Sequence, residues 1–233
     1  RTCFAIDIPT GLNADTGEPG EGTVVADYPL SISQPKAGFI RDEALPFLGR
    51  LVEIPLPIPV PDADDSIRFQ IPSNLAPRWP RRTFDFHKGR AGRVLIIAGS
   101  RGLTGAAILT ALGASRSGAG LITLCLPEEI YPIVASRCPA EVMVRPVASF
   151  SEALEIPHDV VAMGPGLGNG QTRSVIETAL NWEKPAVIDA DALNALAREN
   201  ISPKRLPSNR VLTPHPGELA RLTDRIGPRV ETT

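Results

Sequence analysis

Short apolar runs alternate with helical patterns through the second half of the chain, and this alternation constrains the fold more than any other feature. Six apolar runs are predicted as strands: residues 94–98, 121–126, 142–147, 160–163, 186–188 and 211–212. Each precedes a segment with a helical pattern: residues 104–117, 128–137, 151–155, 171–181, 193–199 and 216–222. Repeated strand–helix units predict an α/β fold with a mostly parallel sheet flanked by helices. Strands this apolar are expected to be covered on both faces.

Proline is concentrated upstream of this region, with seven prolines between residues 55 and 80. Proline can neither continue a helix nor donate a hydrogen bond within a sheet. We therefore predict an extended, semi-rigid linker over residues 60–80, between an upstream unit of residues 1–59 and a downstream unit of residues 81–233. Strands are predicted upstream at residues 3–6 and 28–33. Because the first of these begins almost at the start of the chain, without an initiator Met, we expect truncation at that end.

The composition excludes several classes of function. The net charge of -2 comes from interspersed acids and bases with no basic stripe, so nucleic acid is not an expected partner. No apolar run approaches the roughly 20 residues that a membrane span needs, and we expect a cytoplasmic protein without a membrane partner. Cys3, Cys125 and Cys138 are scattered, so neither a disulfide framework nor a zinc site is suggested.

Unusual sequence follows four of the predicted strands, where ligands bind in open α/β sheets. These segments are residues 99–107, 164–168, 189–191 and 213–218. Residues 164–168 contain three glycines, which either form a simple turn or let a ligand approach the backbone closely. They match neither a Walker A sequence nor a dinucleotide GxGxxG motif.

Several side chains in these segments allow two interpretations. For His215 we favour contact with a ligand, whereas Glu218 either contacts a ligand or only complements the helix dipole. Asp189 ends a buried strand and is a candidate ligand contact, while for Asp191 helix capping is favoured. His158 is expected at the surface.

Six segments, in this order, resemble the NAD(P)H-hydrate dehydratase family: residues 87–89, 99–107, 117–120, 164–168, 189–194 and 213–218. The resemblance implies a ribokinase-like fold that uses ADP, or ATP as in eukaryotic relatives, with Mg²⁺. The implied reaction removes water from the S form of hydrated NADH or NADPH, through phosphorylation of the ring hydroxyl and loss of phosphate.

The same resemblance implies a set of site residues. The residues expected to contact the hydrated dinucleotide are Gly168, His215, Pro216, Gly217, Glu218, Leu219, Ala220 and Arg221. Residues expected in a substrate or nucleotide loop are Lys88, Gly105, Ala106 and Asp189.

The upstream unit resembles the closing segment of the NAD(P)H-hydrate epimerase domain, through residues 5–17, 26–28 and 35–38. This implies the last strands of a Rossmann-like domain that interconverts the R and S hydrates. Asp7 matches a substrate-contacting aspartate. Thr10 matches a serine that helps to hold a potassium ion.

The sequence departs from the dehydratase pattern after Glu218, where no Gly-Thr/Ser-Gly-Asp motif follows. That motif supplies the family's catalytic base and an anion site at a helix N-terminus. We therefore expect a sheet incomplete at its C-terminal side and a chain inactive by itself, from a full-length protein that forms a homo-oligomer. A ribokinase-like small-molecule kinase and a non-catalytic dinucleotide-binding fragment are the alternatives.

Overall fold

The computed structural model describes residues 1–57 and 83–223, and the chain divides into two compact units. The described residues of the first unit are 1–57, and those of the second are 83–223. The linker predicted at residues 60–80 lies outside the described residues. Within the described ranges, no helix is both long and apolar enough to cross a membrane.

The first unit contains a small parallel sheet of three strands. They are β1 (Phe4–Ile6), β2 (Tyr28–Ile32) and β3 (Val52–Ile54), paired in chain order. The sequence predicted β1 and β2 but missed β3, which has three residues and is followed at once by Pro55. Leu12, Phe39 and Ala44 form a buried hydrophobic cluster in this unit. The assignment to a Rossmann-like domain stays a prediction.

The second unit is built on a six-stranded sheet in which every neighbouring pair is parallel. Its strands are β4 (Arg93–Ile97), β5 (Leu121–Leu126), β6 (Val142–Pro146), β7 (Val160–Met163), β8 (Ala186–Ile188) and β9 (Arg210–Leu212). They lie in the order β6-β5-β4-β7-β8-β9. The predicted α/β architecture is confirmed.

Six helices connect and cover these strands, each close to a predicted segment. They are α1 (Thr104–Arg116), α2 (Tyr131–Ala135), α3 (Phe150–Glu155), α4 (Thr172–Asn181), α5 (Ala190–Arg198) and α6 (Pro216–Thr223). The clearest difference between prediction and structure is at α2, since a helix was predicted to begin at residue 128 but α2 begins at Tyr131. A 3-10 turn occupies Glu128–Ile130, and Pro132 lies in the first turn of α2, where its missing N–H is tolerated.

Strand β4 is covered on both faces, as its apolar sequence predicted. Leu95 and Ile97 pack into a cluster with residues of α3, α4 and α5. Ile96 and Ala98 point the other way, into a cluster with residues of α1 and α2. Burial of each large side chain stabilises the fold by roughly 1.5–3 kcal/mol, so the two cores hold the centre of the sheet in place.

Arg210, at the start of β9, fixes the end of α4 to the edge of the sheet. Its guanidinium donates to the carbonyl oxygens of Ala179 (2.7 Å), Lys184 (3.1 Å) and Trp182. A planar guanidinium with several donors suits the unpaired carbonyls that end a helix. The edge strand β9 is therefore joined to α4 by side-chain bonds as well as through β8.

His158 is buried, and the prediction that it lies at the surface is wrong. It is 1% exposed, and its ring stacks on Trp182 with 5.6 Å between ring centroids. Nδ1 lies 2.6 Å from the Ile156 carbonyl oxygen, and Nε2 lies 3.3 Å from the indole N–H of Trp182. A neutral ring with its proton on Nδ1 satisfies both bonds. Burial lowers the pKa of His158.

We expect the stability of the second unit to fall in mild acid because of His158. Its folded pKa lies below the unfolded value of about 6.5, so below that pH the unfolded state binds more protons. The contribution of the neutral His158 ring to the free energy of unfolding is complete above about pH 6.5. It is lost as the pH falls, by at most about 1.4 kcal/mol per pH unit. Urea denaturation at pH 7.5 and 5.5 measures this loss.

The matched control compares His158→Leu with His87→Leu, since His87 is exposed. His158→Leu should show a smaller difference between the two pH values, whereas His87→Leu should keep the native difference. The same pH dependence in native protein and His158→Leu would contradict the assignment.

Candidate functional site

The carboxyl ends of β4 and β7 lie side by side at the centre of the sheet. From β4 the chain goes on to β5 at one side, whereas from β7 it goes on to β8 at the other. The loops that follow these two strands therefore diverge, and ligands of open α/β sheets bind at such a reversal of strand order. Both loops, residues 99–103 and 164–171, carry the glycines that the sequence singled out.

A cavity of about 310 Å³ lies between these loops and the ends of β5 and β6. Its apolar lining side chains are Ile97, Cys125, Leu126, Val147, Phe150 and Leu167. The polar residues around it are Ser100, Arg101, Glu129, Ser149, Asn169 and Gln171. The volume is at the lower end of the range of about 300–1,000 Å³ for small-molecule pockets.

The two glycine-rich loops are held together by backbone contacts. The Gly99 N–H donates to the Pro165 carbonyl oxygen at 2.9 Å. Gly164 has φ 130°, and a Cβ there would lie 1.8 Å from the Asp189 carbonyl oxygen. Only glycine allows this approach, so the loop after β7 lies directly against the turn after β8.

Asp189 and Asp191 have different roles in that turn. Asp189 is the N-cap residue of α5, but its side chain makes no capping hydrogen bond. The Asp191 carboxylate accepts a hydrogen bond from the Gly168 N–H at 2.8 Å. The interpretation of Asp191 as a helix cap is therefore wrong. Ala190 between them has φ 48°, a conformation that costs a non-glycine residue energy and is often found at functional sites.

His215 and Glu218 form a reciprocal cap at the start of α6. The His215 N–H donates to Glu218 Oε2 at 2.9 Å, and the Gly217 N–H donates to His215 Nδ1 at 3.0 Å. Glu218 is buried, whereas the imidazole of His215 is exposed. Because Nδ1 accepts a hydrogen bond, Nε2 carries the proton of the neutral ring. Glu218 therefore supports its helix, and His215 presents its ring at the rim.

The other predicted contacts of the second unit are distributed along the same rim, with one exception. Gly168 lines the cavity, and Gly105 and Ala106 open α1. Four more lie along α6: Pro216, Leu219, Ala220 and Arg221. Lys88 lies elsewhere, since its carbonyl oxygen is against Gly120, at the amino ends of β4 and β5.

Asp7 and Thr10 belong to the first unit. Asp7 has φ 68°, and its Oδ1 lies 2.6 Å from Lys36 Nζ and 3.0 Å from the Ile32 nitrogen. The Lys36 ammonium lowers the pKa of Asp7, so this pair stabilises the unit at neutral pH and is lost in acid. Thr10 is exposed, and its carbonyl oxygen accepts from the Val24 N–H at 2.9 Å. A potassium site at Thr10 stays a prediction.

Sequence reasoning missed the cavity wall after β6. Ser149 accepts a hydrogen bond from the Glu152 N–H at 3.2 Å, and Glu152 Oε2 accepts from the Ala148 N–H at 2.8 Å. This is a variant of the capping box in which Glu152 reaches the residue before the N-cap, and a Ser followed three residues later by Glu could have indicated it. Cys125, near the end of β5, also lines the cavity, and burial raises the pKa of its thiol to about 12, which disfavours the nucleophilic thiolate. Among residues 1–57 and 83–223, no group of three or more His, Cys, Asp or Glu could hold a metal ion.

We expect Gly164→Ala to destabilise the second unit by at least about 2 kcal/mol, since it adds a clash and an unfavourable φ. Thermal unfolding measures the change. Gly113→Ala is the matched control: a Cβ there meets nothing within 4 Å, and helix α1 should be stabilised by about 0.5–1 kcal/mol. Equal stability of the Gly164→Ala and native proteins would refute the close approach.

We expect Asp191→Ala to release the Gly168 amide. Loss of a charge-assisted hydrogen bond worth about 1.5–3 kcal/mol should speed exchange of the Gly168 amide proton by at least about tenfold, as measured by NMR. Asp191→Asn keeps an acceptor oxygen and should show a smaller increase. Glu177→Ala removes an exposed carboxylate from α4 and is the control. Unchanged Gly168 exchange in Asp191→Ala would contradict this role.

Comparison with known proteins supports the resemblance noted in the sequence. The profile of the NAD(P)H-hydrate dehydratase family matches residues 94–232. The chain is 36% identical over 232 residues to the bifunctional NAD(P)H-hydrate repair enzyme Nnr of Coxiella burnetii, covering 94% of this chain and 45% of that protein. It is 38% identical over 225 residues to the Escherichia coli protein of the same name, covering 94% and 42%. The chain thus spans less than half the length of these relatives.

Solved structures agree with the fold. A ribokinase-like superfamily protein of Enterococcus faecalis matches with a TM-score of 0.57 and 27% identity, covering 69% of this chain and 60% of that one. The ADP/ATP-dependent NAD(P)H-hydrate dehydratase of Bacillus subtilis, co-crystallised with ATP and Mg²⁺, matches with a TM-score of 0.51 and 30% identity, covering 63% and 52%. With a family match over more than half of its residues, the chain belongs to the NAD(P)H-hydrate dehydratase family.

Proposed function

We propose that the second unit binds hydrated NADH or NADPH and forms the substrate side of an ADP-dependent dehydratase. The observation that carries this proposal is the cavity at the reversal of strand order, which both glycine-rich loops border. Family membership gives the substrate class, and the position of the cavity matches the usual ligand site of such sheets.

The rim supplies groups suited to a phosphorylated, hydroxyl-bearing ligand. Arg101 makes no ion pair or side-chain hydrogen bond with any described residue, so its guanidinium is available for phosphate. Helix α1 begins beside it without a side-chain cap, and Gly105 leaves open space over its first turn. Asp189 is half-buried and its carboxylate makes no hydrogen bond with a described residue, so the carboxylate can accept one from a hydroxyl of the substrate.

ADP, or ATP in its place, would supply the phosphoryl group that turns the ring hydroxyl into a leaving group. Mg²⁺ usually binds through one or two carboxylates together with substrate phosphates. Asp189 fits that requirement, whereas a site made by protein ligands alone does not fit the described residues. The catalytic base is not assigned to any residue of this rim.

The first unit is proposed to contribute to the epimerase that interconverts the R and S hydrates. Relatives aligned over 94% of this chain carry the name of a bifunctional repair enzyme, which supports that proposal. Asp7 would contact the hydrate, with its carboxylate oriented by Lys36. Potassium at Thr10, homo-oligomeric assembly and a cytoplasmic location also stay predictions.

We expect the purified chain to bind (S)-NADPH hydrate without dehydrating it in the presence of ADP and Mg²⁺. Calorimetry measures binding, and recovery of absorbance at 340 nm measures dehydration. His215→Ala should weaken binding by about tenfold, since one hydrogen bond contributes about 1–1.5 kcal/mol. Glu177→Ala is the control, because Glu177 is exposed on α4 and does not line the cavity.

Two results would contradict the proposal in different ways. Absence of binding by the native chain would refute the assignment of the substrate. Dehydration of the hydrate by the chain alone would refute the proposal that the second unit forms only the substrate side of the dehydratase. Phosphorylation of a small alcohol in place of dehydration would favour the kinase alternative.

A further inference from the structure

We propose that Arg198, at the end of α5, is a positioning residue for ligand binding, because it holds the loop after β7 in one shape through Asn169 and Thr172. Arg198 itself does not line the cavity. The inference rests on the proposed function, since the same loop borders the cavity assigned to the substrate.

One guanidinium joins the two ends of the segment 169–172. Arg198 Nη1 donates to Asn169 Oδ1 at 2.8 Å, and Nη2 donates to Thr172 Oγ1 at 3.3 Å. The Thr172 hydroxyl in turn donates to the Asn169 carbonyl oxygen at 3.2 Å. Because the guanidinium is planar and its donors are fixed relative to one another, it sets the distance between the two acceptors. The segment is therefore closed by a ring of hydrogen bonds.

Helix α5 holds this loop at a second point on the same face. Asp191 and Arg198 are seven residues apart, which is two turns of the helix, so their side chains point the same way. The Asp191 carboxylate accepts from the Gly168 N–H at 2.8 Å. The residues that anchor another face of α5 in the hydrophobic core are Ala192, Leu193, Ala195 and Leu196. The loop is therefore tied to a helix that is itself fixed by the core.

The loop needs such ties because its own sequence does not fix it. Gly166 and Gly168 have φ of 68° and 66°, and a Cβ at Gly170 would meet nothing within 4 Å. Glycine gives up more conformational freedom on ordering than other residues. The N-cap residue of α4, Gln171, makes no side-chain capping bond, so the start of that helix is not fixed by its own cap. Arg198 supplies in advance the order that a ligand would otherwise have to impose.

A purely structural role for Arg198 makes different predictions. A cation in the last turn of a helix also complements the helix dipole, and Arg198 occupies that place in α5. That role needs only the charge, which lysine keeps, and it affects stability and not binding. The positioning role needs the planar guanidinium, whose paired donors lysine lacks. Lysine and methionine at this position therefore separate the two roles.

The first test measures affinity. Calorimetry with (S)-NADPH hydrate should show binding at least about fivefold weaker in Arg198→Met, because the ligand must then order the loop itself. Arg198→Lys should lie between Arg198→Met and the native chain. Arg173→Met is the matched control on α4: Arg173 is exposed, pairs with Glu177 and does not line the cavity, so the affinity should stay within about twofold of native.

A double-mutant cycle tests whether Arg198 acts through its partner on the loop. In the Asn169→Ala background, Arg198→Met should change the affinity by less than about twofold, since the acceptor is already gone. The same loss of affinity with and without the Asn169 side chain would show that Arg198 acts independently of it and would overturn the positioning role.

The second test follows the loop without a ligand. Backbone ¹⁵N relaxation should give order parameters near about 0.85 for Asn169 and Gly170 in the native chain and below about 0.6 in Arg198→Met. Arg173→Met should keep the native values. If Arg198→Met does not fold, Arg198→Lys decides, because its affinity and its order parameters should still lie below those of the native chain.

The outcomes separate this inference from the function on which it rests. Native affinity or native order parameters in Arg198→Met would overturn the positioning role while the proposed function stands. Native affinity in Arg198→Lys beside weak binding in Arg198→Met would overturn it too, in favour of the charge alone. If the native chain does not bind the hydrate, the proposed function fails and the role in binding fails with it, whereas the order parameters still show whether Arg198 holds the loop.

Discussion

The parallel pairing of β4 with β7 is the interaction on which the rest of the second unit depends. Val94 to Ile97 pair with Val160 to Met163, and the side chains of β4 are buried on both faces. The pairing joins two strands that are far apart in sequence, and their connections lead to opposite edges of the sheet. The cavity is the space between the diverging loops that follow β4 and β7. The apolar floor of the cavity continues one of the two hydrophobic cores. Ile97, Phe150 and Leu167 line the cavity and also belong to the core that packs against α3, α4 and α5.

A second constraint fixes the loops above that floor. The chain after β7 and the turn after β8 approach so closely that Gly164 has no room for a side chain. The bond from Gly168 to Asp191 holds the other end of the same loop. With both ends fixed, the loop is preorganised, and a ligand that binds there loses less free energy to ordering. The unfavourable φ of Ala190 is compensated by these contacts.

The sequence predicted the parts of this structure that depend on local pattern, and missed those that depend on distant partners. Apolar runs and helical patterns placed β4 to β9 and α1 to α6, because the spacing of apolar residues reflects which side chains are buried. His158 was misplaced because its partners Trp182 and Lys184 are more than 20 residues away. The hydrogen bond that the Gly168 N–H donates to Asp191 was missed for the same reason. Strand β3 was too short to show alternation. The cavity wall at Val147–Phe150 carries no glycine signature, although its capping box was visible.

The guanidinium of Arg210 has a consequence for how the rim responds to a ligand. It joins β9 to the end of α4, while Arg221 on α6 donates to Asn194 on α5 at 2.9 Å. Opening any one part of the segment from β7 to α6 breaks some of these hydrogen bonds, and we therefore expect the segment to open as one cooperative unit. Occupancy anywhere on its rim protects the whole segment by mass action. In hydrogen exchange, the footprint of a small ligand would extend over about 60 residues, far beyond the atoms it touches.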